Sequence, residues 1–200
     1  MYPAVLADSV GSDNPSGAGN QQERLSSLPE FTMLRDVPDS IGWYLAGFVD
    51  GEGSFNVSFR VRDDYEVPWK VSLCFNVSQR EYAVLTLLRQ HLGCGTMRQR
   101  RDRVWYFEVN NFRSIQENVI PFFERVGFLS AKKQRDFAEF KDLAALIQSG
   151  RHLTSEGIRD VVQIRKERND GGKRRHTDGE ILARLLENPQ RPYAGPPQGG

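Results

Sequence analysis

Residues 45–53 read Leu45-Ala46-Gly47-Phe48-Val49-Asp50-Gly51-Glu52-Gly53, and an alternating stretch begins at the next residue. Upstream, Pro38-Asp39-Ser40 is a helix-start sequence. A short apolar helix is predicted from Ile41 to about Asp50, ended by Gly51 and Gly53. From Ser54 to Arg62, Phe55, Val57, Phe59 and Val61 fall on one face, with Ser54, Asn56, Ser58, Arg60 and Arg62 on the other. From Lys70 to Ser78, Val71, Leu73, Phe75 and Val77 alternate with Lys70, Ser72, Cys74, Asn76 and Ser78. Period-two alternation marks half-buried strands, and the connection from Arg62 to Pro68, with Asp63-Asp64, predicts a hairpin.

Working outward, Ser78 followed by Glu81 has the capping-box spacing and predicts a second helix, with Val84, Leu85, Leu88 and Leu92 on one face and Gly93 at its end. A second strand pair is predicted at Thr96–Arg100 and Val104–Asn110, with Trp105, Phe107 and Val109 on one face. Helical segments follow at Phe112–Val119, at Pro121–Val126, and at Ala131–Gln148 behind the capping residue Ser130. The order helix, strand, strand, helix, strand, strand, helices implies an α+β domain: an antiparallel four-stranded sheet with helices on one face. Its other face carries Arg60, Arg62, Lys70, Arg98 and Arg100 with Asn56, Ser58, Ser72 and Asn76. These residue types contact phosphates and base edges.

Charge agrees with that reading. The formal net charge of +1 hides a divide: residues 1–40 hold two basic residues, Arg24 and Arg35, against six acidic ones, so the rest of the chain is basic. Arg98 to Arg103 reads RQRRDR, and Lys173-Arg174-Arg175 forms a second cluster; both suit a polyanion. Residues 1–37, rich in Gly, Ser, Pro and Asn, are expected not to pack, and residues 188–200 read as a frayed tail. Between them, residues 38–150 form the predicted core domain and 151–187 an accessory helical extension. The extension reads either as a small DNA-binding module or as a buttress between two copies of the chain. Two cysteines, Cys74 and Cys94, make neither a disulfide framework nor a four-ligand zinc site. No apolar run approaches the ~20 residues of a membrane span, and no secretory signal is evident, so a cytoplasmic or organellar-matrix protein without a membrane partner is expected. His91, His152 and His176 have no metal-ligand spacing and are assigned no role.

The chemistry resides at residues 45–53. Two carboxylates, Asp50 and Glu52, stand among glycines at a helix end. A carboxylate beside an exposed backbone carbonyl is a hard-oxygen site suited to Mg²⁺. Gly42, Ala46 and Gly47 are small enough to admit a second helix closely, despite a cost of ~1 kcal/mol per Gly in helix propensity. LAGFVDGEG resembles the LAGLIDADG signature of homing endonucleases, most closely the single-motif, homodimeric (I-CreI-like) group. The succession of elements over residues 38–148 is also similar to that family. The resemblance implies that Glu52, a permitted variant of the usual Asp, is the catalytic, metal-binding acid, and that Gly51 offers its carbonyl to Mg²⁺. Asp50 is read as structural. The resemblance further implies that Gln79 positions the attacking water and that Lys132 is the active-site lysine, with Lys133 its rival by one residue. Arg98 and Arg100 are read as DNA contacts. Gly42, Ala46, Gly47 and Asp50 are assigned to the interface between two copies. The stretch Leu143–Gly150 echoes the signature without an acid and is read as a helix end, leaving one acid per chain.

The function implied is a Mg²⁺-dependent double-strand break in DNA at a long pseudo-palindromic target. The alternatives are a maturase bound to its host intron RNA and a cleavage-dead DNA-binding regulator.

Overall fold

The structure, a computed structural model, describes residues 37–62, 67–167 and 175–187. Most of the segment 1–37, the Asp63-Asp64 turn, Lys173-Arg174 and the tail 188–200 lie outside the described residues. Val37, assigned to the unpacked segment, is an exception: it is buried, and its carbonyl accepts a hydrogen bond from Arg125 at 2.7 Å.

Helix α1 runs Asp39–Glu52, two residues past the predicted end. Gly51 does not stop it, because a chain reversal comes only at Gly53, where the helix passes directly into strand β1 (Gly53–Val61). A Cβ on Gly53 would stand 2.8 Å from the Val49 carbonyl, so this junction tolerates only glycine. Strand β2 (Trp69–Gln79) pairs antiparallel with β1, Gly53 opposite Val77 and Arg60 opposite Lys70. Helix α2 (Tyr82–Leu92) follows, and here the capping-box expectation fails. Ser78 stays in β2, opposite Tyr106, and the N-cap is Glu81 with no side-chain cap; strand pairing took Ser78 before the helix could. Gly93, at φ 67°, ends α2 as expected.

Strands β3 (Thr96–Gln99) and β4 (Trp105–Val109) complete a sheet of order β1-β2-β4-β3, antiparallel throughout. The segments predicted as two helices at Phe112–Val119 and Pro121–Val126 form one continuous run: α3 (Phe112–Ser114), a π-turn (Ile115–Val119) and α4 (Ile120–Val126). Pro121 lacks an N–H to donate, and the i→i+5 bond from Ile120 to Ile115 carries the helix past it. Helix α5 (Ala131–Gln148) starts at Ser130, whose hydroxyl accepts the Lys133 N–H at 3.2 Å.

The core lies between the sheet and the helices. Phe55, Phe75, Phe107, Phe122, Phe123 and Phe140 are its largest fully buried side chains. Phe55 alone meets five other rings within 6 Å. Helices α6 (Ser155–Glu167) and α7 (Asp178–Glu187) belong to this core. Ile158, Val161, Val162, Ile181 and Leu185 join the same buried cluster. Trp69 Nε1 donates to the Ile181 carbonyl at 3.2 Å, and buried Arg165 pairs with Asp178 at 3.2 Å. The extension thus completes the domain's own packing at the end of the sheet where β1 passes to β2.

Candidate active site and nucleic-acid interface

Everything at the motif follows from where α1 stops. The last carbonyls of a helix lack intrahelical partners, and the macrodipole makes that end negative. Placing Asp50 and Glu52 there concentrates negative charge at one point. Two devices offset it. Asp50 accepts from the Ser130 backbone N–H at 3.0 Å and makes a very short contact with the Ser130 hydroxyl. Burial pushes the Asp50 carboxyl up, but the Ser130 hydrogen bonds and the nearby Lys133 charge outweigh it and hold the group below its ordinary value. Lys133, 6% exposed, donates its ammonium to the Gly53 carbonyl in a very short hydrogen bond.

Glu52 and Gly51 remain exposed beside this clamp, and apart from α1's own backbone and the two neighbouring residues nothing lies within 4 Å of where a Gly51 Cβ would stand. Among the described residues no three His, Cys, Asp or Glu side chains are gathered closely enough to cage a metal. An exposed carboxylate, the helix-end carbonyl of exposed Gly51 and a negative dipole fit Mg²⁺ of the kind that keeps several waters and takes further ligands from phosphates. Gln79 ends β2, two residues past Val77, the partner of Gly53, and so stands at the motif end of the sheet. Its Oε1 accepts from the Arg80 N–H at 2.7 Å.

The geometry differs from the sequence reading at the lysine, at Gly42 and Ala46, and at Asp50. Lys132 is exposed and pairs with Asp136 at 3.3 Å, whereas Lys133 is the lysine brought to the motif. Lys133 shares its helix face with the buried Phe137, Phe140 and Ala144, and that spacing in the sequence would have chosen between the two. Gly42 and Ala46 do not face outward: both are buried, and a Cβ on Gly42 would strike Val126 of α4 at 2.7 Å. Asp50 is engaged by Ser130 of its own chain. The outward side of α1 is instead formed by Trp43, 65% exposed, and Tyr44, 55% exposed, with Gly47 and Gly51.

The polar sheet face forms as read. The register sets Ser54 beside Asn76, Ser58 beside Ser72, and Arg60 beside Lys70, with Arg62 continuing the row just past the strand. On the other side Asn76 adjoins Glu108, and Arg98 lies opposite Tyr106. From Ser54 to Arg60 the face runs ~20 Å, and across four strands it is ~14 Å wide. Sequence reasoning missed Tyr106 and Glu108. Both Arg98 and Arg100 lie over the Tyr106 ring, each 4.9 Å from its centroid, and Arg98 also pairs with Glu108 at 3.8 Å. The i, i+2 spacing of Arg98 and Arg100 places both on one face. Only the strand register reveals which ring they share. Burial, reinforced by Cys74 and Glu108, pushes the Tyr106 phenol up, so it stays protonated as a donor.

A family model described as LAGLIDADG endonuclease matches residues 45–144, half of the chain. The chain belongs to the LAGLIDADG endonuclease family. Its matched span runs from the motif helix to α5 and so includes both halves of the Lys133–Gly53 contact. This LAGLIDADG chain is 28% identical over 132 residues to probable intron-encoded endonuclease 2 of Neurospora crassa, covering 64% of itself and 29% of that protein. It is 25% identical to homing endonuclease I-ApeII of Aeropyrum pernix, covering 70% of itself and 86% of that protein. The solved archaeal intron-encoded homing endonuclease I-Vdi141I, complexed with DNA, superimposes with a TM-score of 0.68 at 25% identity; the match covers 74% of this chain and 96% of that one. The chain therefore spans under a third of the first relative but nearly the whole of the other two.

Proposed function

We propose that the protein is a site-specific homing endonuclease that binds DNA as a homodimer and cuts both strands in a Mg²⁺-dependent reaction. The observation that carries this reading is the convergence of Glu52, Gly51 and Lys133 at the end of α1, at the edge of a polar, arginine-bearing sheet face. The sheet face matches a major groove, ~12 Å wide, and its ~20 Å length corresponds to ~6 base pairs per chain at ~3.4 Å each. Asn56, Ser58, Arg60, Arg62, Lys70, Ser72, Asn76, Arg98 and Arg100 line or continue that face and bind the duplex.

One acid per chain calls for two chains to cut two strands. The nearly full-length matches to I-ApeII and I-Vdi141I fit a chain that is one repeat. The outward side of α1, with Trp43, Tyr44 and Gly47, is the surface the second copy covers, which brings the two Glu52 side chains to the two-fold axis.

In the mechanism, Glu52 and the Gly51 carbonyl would hold Mg²⁺ at the end of α1. When bound, the metal lowers the pKa of water and stabilises the leaving oxygen. Gln79 orients the attacking water from the end of β2. Lys133, fixed by the Gly53 carbonyl and kept nearly dry, places positive charge where the phosphorane becomes more negative. Asp50 and Ser130 hold α5 against α1 and so fix the lysine's position.

The test is a cleavage selection on a library of DNA duplexes with Mg²⁺, with Ca²⁺ and with a Glu52→Gln variant. The expected result is a long pseudo-palindromic site cut only with Mg²⁺ and intact Glu52, while Glu52→Gln still binds it. Cutting by Glu52→Gln removes Glu52 from the mechanism. Binding without cutting by the unaltered protein points to a regulator instead.

A further inference from the structure

We infer that Arg103, at the tip of the β3–β4 hairpin, is a DNA-phosphate contact retained at the expense of fold stability; this rests on the DNA-binding reading above. Arg103 adopts φ 63° and is the one non-glycine residue with positive φ among the described residues. Its position is the one where hairpins of this kind place glycine. Arg103 N–H closes the turn onto the Arg100 carbonyl at 3.0 Å, and Arg100 N–H bonds the Val104 carbonyl at 2.8 Å. A Cβ in the left-handed region is strained, more so on a long side chain than on Asn or Asp. The surroundings enforce the conformation: Asp102 Oδ1 accepts the Val104 N–H at 3.1 Å, and Gln99 Nε2 reaches the Arg103 carbonyl at 3.4 Å.

The turn gives no packing reason for arginine. Arg100, Arg101 and Arg103 are all exposed, and no carboxylate pairs with Arg101 or Arg103 among the described residues. Asp102, the acid between them, has a carboxylate oxygen on the backbone. Position supplies a reason. Gln79 pairs with Trp105, and Trp105 with Gln99, so this turn projects from the motif end of the sheet, next to the Arg98–Tyr106–Arg100 stack. It stands ~10–14 Å to one side of Ser54 across the strands and ~17 Å further along them, five residues from Glu108 in the row of Ser54 and Asn76. A guanidinium there lies beside the polar face at its motif end, where it meets the backbone of the same duplex. Strain kept where glycine would relieve it points to function rather than folding.

The experiment compares the full chain with Arg103→Gly and Arg103→Lys, reading thermal melting and affinity for a 30-base-pair DNA duplex of random sequence over a salt series. A phosphate contact is independent of sequence, so this probe reports it without knowledge of the target. Arg103→Gly is expected to melt about 1–3 °C higher yet to bind more weakly, with the slope of log affinity against log salt shallower by about 0.9. Arg103→Lys, which keeps charge and strain, is expected to match the unaltered protein in both. If Arg103→Gly leaves affinity and slope unchanged while the unaltered chain binds, Arg103 is not a contact and this inference fails alone. If Arg103→Gly melts lower, the claim of strain fails. If the unaltered chain does not bind DNA at low salt, this inference and the DNA-binding reading fall together.

Discussion

Replacing Lys133 with Met separates a catalytic lysine from a structural one. The ammonium is 6% exposed and bonded to the Gly53 carbonyl, with the Asp50 carboxylate near enough to be influenced by its charge. Removing it forfeits a charge-assisted hydrogen bond worth about 1.5–3 kcal/mol. It also removes a buried cation whose desolvation costs several kcal/mol, and Met refills the space. These terms oppose each other, so stability is expected to change by no more than about 1 kcal/mol, or about 2–4 °C in melting temperature. Catalysis has no such compensation. Losing one preorganised positive group beside the reacting phosphate corresponds to about 10²–10³ in rate, or about 2.7–4 kcal/mol in the barrier. The assay is single-turnover cleavage of the selected target by Lys133→Met and, in parallel, Lys132→Met, with melting curves for both. Lys132 is exposed and pairs with Asp136, so its replacement should leave cleavage within a few-fold of the unaltered rate. Near-normal cleavage by Lys133→Met, with a hundredfold loss in Lys132→Met, would refute the placement of Lys133 at the reacting phosphate.

Two further outcomes test the surroundings of the site. The Asp50 carboxyl is held below its ordinary value by Ser130 and Lys133 against the opposing effect of burial, so its stabilisation is complete above the unfolded pKa of ~3.9 and fades as pH falls through the lower folded value. Asp50→Asn is therefore expected to be less stable at pH 7, by no more than ~1 kcal/mol once solvent screening is allowed for, with the gap closing below about pH 4; a gap that does not depend on pH contradicts the assignment. Leu185 of α7 is 5% exposed within the common core, so Leu185→Ala should cost ~2–5 kcal/mol and lower the single main melting transition. An unchanged main transition, with a separate minor one lost, would make the C-terminal helices an independent module.

The sheet and most of the helices were legible because each rests on a strong periodicity or a specific punctuation residue. Phe55, Val57, Phe59 and Val61 alternate, Val84, Leu85, Leu88 and Leu92 recur at helical spacing, and Ser130 caps α5. Boundaries failed where tertiary demands overrode local ones. Ser78 is a good cap but was taken by β2, and Gly51 is a helix breaker but lies two residues too early for the junction at Gly53. Within the site, Glu52, Gly51 and Gln79 were singled out from the motif and the strand end, while Asp50, read both as structural and as an interface residue, is bonded to Ser130 of its own chain. The faces of Gly42 and Ala46 were not readable, because small residues admit any close neighbour, and here that neighbour is α4 of the same chain. The tyrosine shared by Arg98 and Arg100 depends on the pairing of β3 with β4, a hairpin register that spacing within one strand does not encode.

The contacts that build the site have a further consequence. Asp50 meets Ser130, and Gly53 meets Lys133, across 80 residues of chain. Both pairs require α5 to be docked through Phe137 and Phe140 onto Phe55, so the lysine is positioned by the packed core, whereas Glu52 is presented by α1 alone. Loosening that core should therefore affect the two halves of the chemistry unequally. The acid persists wherever the motif helix persists, but the lysine's placement is lost once α5 shifts. DNA affinity, which depends on the rigid sheet face, should outlast cleavage for the same reason. A core-weakened variant of this protein is thus expected to lose cleavage while it still binds, without any change to a residue that touches the phosphate.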